Sequence, residues 1–93
     1  MTSGEFFRGS RAVESGHYQG WRTWEGQGGD PFETHIGPLM AMFENGNVRC
    51  AFEPRVEHLN GSGNIHGGAL MAFADFAIFC IVAPFIGDTR VVT

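Results

Sequence analysis

From Ala69 to Ala83 the chain runs fifteen residues that are apolar except for Asp75, and Pro84 closes the run. A stretch of this length without β-branched alternation reads as a helix, and apolar residues on all its sides require a helix wrapped on all sides. A membrane span needs about 18 or more such residues. An acid at a bilayer centre costs about 2.5 to 3.5 kcal/mol, so a helix enclosed by protein is the better reading. A carboxylate in such surroundings loses its hydration at a cost of several kcal/mol unless it has a partner or a task. The sequence therefore predicts a buried Asp75 with a partner or a task, on a helix opened by His66-Gly67-Gly68.

The remaining composition narrows the setting. Ninety-three residues make one small domain, and 43% hydrophobic with 13% aromatic residues describes a globular chain. A formal charge of -4 supplies no basic footprint for nucleic acid or anionic lipid. Cys50 and Cys80 are distant in sequence, form no CxxC pair and leave no second pair for a disulfide framework. With no basic-then-apolar order in Met1 to Arg8, the expectation is a reducing, cytoplasmic protein.

Residues 1 to 30 are rich in glycine and serine, with scattered aromatics, and no strand or helix period persists in them. They read as an N-terminal arm or cover segment, mobile over residues 1 to 12, ahead of a domain spanning 31 to 93. Pro38 to Glu44, the turn pair Asn45-Gly46, and the alternation of Val48, Cys50 and Phe52 predict a β-hairpin. A glycine-rich loop through Asn60, Gly61 and Gly63 delivers the chain to His66. Arg90 to Thr93 reads as the opening of a third strand. Since a hairpin and a strand stub cannot wrap an apolar helix, the sequence predicts a domain truncated after Thr93 or completed by other chains.

Glu57-His58-Leu59-Asn60, His66-Gly67-Gly68 and Asp75, preceded by Pro31-Phe32-Glu33 and Ile36-Gly37-Pro38-Leu39, resemble the signature of hotdog-fold acyl-CoA thioesterases of the phenylacetate-degradation (PaaI-like, 4HBT) type. The resemblance covers about residues 30 to 93. It implies an α+β hotdog fold, an antiparallel sheet curled around one central helix. It also implies an acyl-CoA substrate, no metal or redox cofactor, and a homodimer or a dimer of dimers.

Roles follow residue by residue from that resemblance. The Gly67 N–H, at the positive end of the helix, would bind the oxyanion formed when a thioester carbonyl is attacked, and Gly68 would let substrate approach. Asp75 would act as nucleophile or as the base that activates water. His66 would orient the carbonyl or the helix start, and Asn60 would position substrate or water. Each has a plainer alternative: glycines that only turn a loop into a helix, a buried structural acid, a histidine cap, and ordinary Asn-Gly turn chemistry. His17, His35 and His58 have no metal-ligand spacing and read as structural or exposed. Cys80 reads as a small buried hydrophobe.

Eight residues separate Gly67 from Asp75, about 12 Å along one helix. A nucleophile and an oxyanion donor must both reach one carbonyl at about 3 Å. The arrangement therefore requires two antiparallel helices in a two-fold dimer, Gly67 of one subunit facing Asp75 of the other. The expected activity is acyl-CoA thioester hydrolysis. The alternatives are an acyl-thioester hydratase or dehydratase and a non-catalytic acyl-CoA-binding domain.

Overall fold

The computed structural model describes residues 1 to 28 and 30 to 86. In chain order these form α1 (Ser3–Phe6), β1 (Arg11–Ala12), β2 (Arg22–Thr23), α2 (Pro31–Ile36), β3 (Leu39–Glu44), β4 (Asn47–Phe52), a 3-10 turn (Val56–His58) and α3 (Gly67–Ile86). The architecture is α+β, with an antiparallel sheet in the order β1-β2-β3-β4 and α3 at the C-terminal side of the chain. The predicted strand at Arg90 to Thr93 lies outside the described residues.

The predicted hairpin is present. β3 and β4 pair from Leu39↔Phe52 to Glu44↔Asn47, leaving Asn45 and Gly46 as a two-residue loop. Both have positive φ, 52° and 78°, the signature of a type I′ turn whose twist matches the strands it joins. Leu39 and Ala41 point from β3 into a core shared with Phe7, Phe76 and Cys80.

The segment before residue 30 departs from the expectation of an arm without regular structure, mobile over residues 1 to 12. Phe7 is only 2% exposed, Phe6 stacks on Phe43 at 4.0 Å between ring centroids, and β2 pairs with β3 at Arg22↔Ala41. The Ser3 hydroxyl accepts from the Phe43 N–H at 2.9 Å and donates to the Phe43 carbonyl at 3.0 Å, pairing β3 as a neighbouring strand would. Trp24 meets Phe7, Phe76 and Phe79 edge to face and so joins this segment to α3. Aromatic burial and local capping hold it, and neither leaves a periodic trace in so short a stretch.

α2 has complete local signals. The Asp30 carboxylate caps it by accepting from Phe32 and Glu33, Pro31 occupies the first turn, and Gly37 ends it by donating to the Glu33 carbonyl at 2.8 Å. A Cβ on Gly37 would lie 2.7 Å from that same carbonyl oxygen, so no larger residue fits.

α3 lays Phe73, Phe76 and Cys80, spaced three and four apart, against the sheet. Its other side is not covered by the described residues: Met71 is 72% exposed, Ile78 53% and Ile81 52%. Among the described residues no helix is long and apolar enough to cross a membrane.

Candidate active site

The loop leading to α3 is organised by its own side chains. Leu59 and Ile65 form an isolated antiparallel bridge, and the Asn60 N–H donates to the Asn64 carbonyl at 2.7 Å. The Asn60 side-chain oxygen accepts from the backbone N–H groups of Ser62 and Asn64 at 2.9 and 3.2 Å. This is an Asx turn, the conformational role that short polar side chains take beside glycine. Asn60 shapes the loop through its oxygen, and its side-chain amide group takes no part in that turn.

His66 closes the loop onto the helix. Its carbonyl accepts from Ala69 and Leu70, and its Nδ1 accepts from the Gly68 N–H at 2.8 Å. The ring thus caps the first turn of α3 as a serine or aspartate would, and accepting at Nδ1 places the proton of the neutral ring on Nε2. A Cβ at Gly68 would come within 3.0 Å of Nδ1 and 3.3 Å of Cε1, so glycine here makes room for the ring of its own cap. Gly67 differs: among the described residues nothing accepts its N–H, and nothing lies within 4 Å of where its Cβ would be. Of the two glycines only Gly67 offers both an available donor and open space.

Asp75 is corrected from buried to exposed. The reason is geometric: α3 buries the stripe of Phe73, Phe76 and Cys80, and Asp75, one residue before Phe76, is rotated about 100° around the helix from it and away from that stripe. Its charge is felt at Glu33 on α2. The Glu33 carboxyl is pushed above its ordinary value, first by burial and then by the charges of Asp30 and Asp75. Glu33 lines a shallow, water-sized cavity of about 20 Å³ together with Thr23, Trp24, Asp30, Thr34 and Phe76. Glu33 was not singled out by the sequence, because nothing local distinguishes it from a surface glutamate on a short helix.

His58 is the second residue whose place is set by tertiary structure. It is 3% exposed, its Nδ1 accepts from the Arg55 N–H at 2.9 Å, and its Nε2 donates to the Ile36 carbonyl. Its own carbonyl accepts from the His66 N–H at 2.6 Å. This histidine therefore fastens the end of α2 to the residue that caps α3, a structural role. His66, Gly67 and Gly68 thus sit at one end of α3, while Asp75 lies two turns along it, and Asn60 stays in its loop.

The chain matches no protein-family model, and no curated protein or solved structure is significantly similar to it.

Proposed function

We propose that the protein is an acyl-CoA thioesterase, with a hotdog-type arrangement completed by a second copy and an active site shared between the two. The observation that carries this reading is the contrast at the mouth of α3. The His66 ring occupies the Gly68 N–H, while the Gly67 N–H remains available in open space at the positive end of a 20-residue helix. A thioester carbonyl seated there would have its developing negative charge stabilised by a donor already in place. Asp75, exposed on the same helix, would attack that carbonyl or draw a proton from water that does.

Within one chain the two groups remain about 12 Å apart along the axis. The uncovered side of α3, with Leu70, Met71, Ile78 and Ile81 around Asp75, is the surface on which a second α3 would pack antiparallel. That pairing brings Gly67 of the partner subunit toward Asp75. Water that gives its proton to Asp75 adds to the thioester carbon, the oxyanion rests on Gly67 of the partner subunit, and the carbon–sulfur bond breaks, the acid departing as the coenzyme A thiolate takes up that proton. If the carboxylate itself adds, the mixed anhydride left after coenzyme A departs is cleaved by a water to free the acid and restore Asp75.

Thiol release from a panel of acyl-CoA esters tests the activity, and mixed dimers test the site. Asp75→Ala and His66→Ala should each lose about 10²- to 10⁴-fold in rate. Mixing them should restore part of it, since one of the two sites in a mixed dimer is intact. Normal turnover in Asp75→Asn would show that the acid takes no part.

A further inference from the structure

Cys50 and Cys80 are thirty positions apart and belong to different elements, yet the fold brings both to one hydrophobic cluster. Cys80 is fully buried on the stripe of α3 that faces the sheet, and Cys50 is partly exposed on β4, packed against the cluster that contains Cys80. Cys50 is paired across the hairpin with Ala41, which belongs to the same cluster as Cys80. Each thiol bears on the ionisation of the other.

We infer that Cys50 and Cys80 form an oxidisable dithiol, a redox modification site in which Cys50 is the attacking sulfur and Cys80 the resolving one, and whose oxidant is a low-molecular-weight disulfide. This assignment is independent of the thioesterase reading.

The division of labour follows from their surroundings. The hydrogen of Cys80, held toward Cys50, stabilises a Cys50 thiolate and draws the Cys50 thiol below its ordinary value. The same hydrogen bond, followed by burial, pushes the Cys80 thiol up. The thiolate is the nucleophile in thiol–disulfide exchange, so the partly exposed Cys50 reacts first.

Cys50 Sγ, having given its proton to solvent, attacks one sulfur of the small disulfide. The sulfur–sulfur bond breaks, and the departing thiolate takes up a proton. Cys80 Sγ then loses its proton and attacks Cys50 Sγ, forming the Cys50–Cys80 bond and expelling the second small thiol. The protein gives up two electrons and two protons, and the small disulfide becomes two thiols. The product would tie β4 to the helix carrying Gly67 and Asp75, closing a long loop, the condition under which a cross-link constrains the unfolded chain most.

The test incubates the native chain with oxidised and reduced glutathione at set ratios, quenches with acid, alkylates in denaturant, and reads intact mass and peptide maps. Both thiols should vanish together, with the mass falling by two hydrogen atoms, a Cys50–Cys80 linked peptide appearing, and excess reduced glutathione reversing the change. Cys80→Ala should stop with one glutathione on Cys50. Cys50→Ala should slow the loss of the Cys80 thiol by about tenfold or more. The proposal is overturned if native wild-type chain accumulates glutathione adducts without the internal link, joins two chains through Cys50, or keeps both thiols at ratios that oxidise the unfolded chain. The wild-type chain alone separates these outcomes, so a variant that fails to fold leaves the test intact.

Discussion

At the scale of single residues, position in the fold decides chemistry that residue type leaves open. Gly67 and Gly68 are identical in sequence terms, but only Gly68 is pressed by the His66 ring. Alanine ordinarily favours a helix over glycine by about 1 kcal/mol. Gly68→Ala is nevertheless expected to lower the melting temperature, because its Cβ displaces the cap. In a His66→Ala background the same change should raise it, a reversal of sign that a double-mutant cycle by thermal denaturation reads directly. Glu33 carries a pH prediction. Its folded-state value is raised, so the native chain holds that proton more tightly than the unfolded chain does. The associated stability is present below the ordinary value of 4.5 and is lost as pH rises through the raised folded value. Glu33→Gln should therefore melt progressively higher than wild type as pH is raised from about 4 to about 7. Carboxyl NMR titration of Asp75→Asn should move Glu33 back toward its ordinary value, since one of the charges acting on it is gone.

At the scale of elements, local sequence signals succeed wherever the element closes on itself. Asn45-Gly46 between alternating strands was sufficient to place the hairpin, and replacing Gly46 by alanine should cost about 1 to 2 kcal/mol in denaturant unfolding because its φ is 78°. α2 carries equally local signals in Asp30, Pro31 and Gly37, in a stretch too short for a helical period to mark it. α1, β1 and β2 were not legible. Two-residue strands and a four-residue helix are too short for periodicity, and they persist because Phe6, Phe7 and Trp24 pack on β3 and α3. For α3 the mean apolarity was clear, but which stripe faces the sheet was not. Phe76, 2% exposed on that stripe, should cost about 3 to 5 kcal/mol when cut to alanine.

For the whole molecule, the uncovered side of α3 is the feature on which the proposed dimer rests. If two copies pair through it, Met71→Glu should shift the protein to monomer in sedimentation and abolish thioester hydrolysis. Its secondary structure should be unchanged, because Met71 is 72% exposed and contributes nothing to the core of its own chain. What the sequence determined by itself was what adjacent residues can enforce: the turn at Asn45-Gly46, an apolar helix after His66, and the fixed axial separation of Gly67 from Asp75. Those depend on backbone dihedrals and helical rise, which are local. The tertiary structure alone decided that Asp75 is exposed, that the His66 ring takes Gly68 and leaves Gly67, that His58 is buried as a fastening, and that Cys50 and Cys80 reach one cluster. Each depends on which face of one element meets another, and an almost uniformly apolar helix has no polar stripe from which that choice can be read.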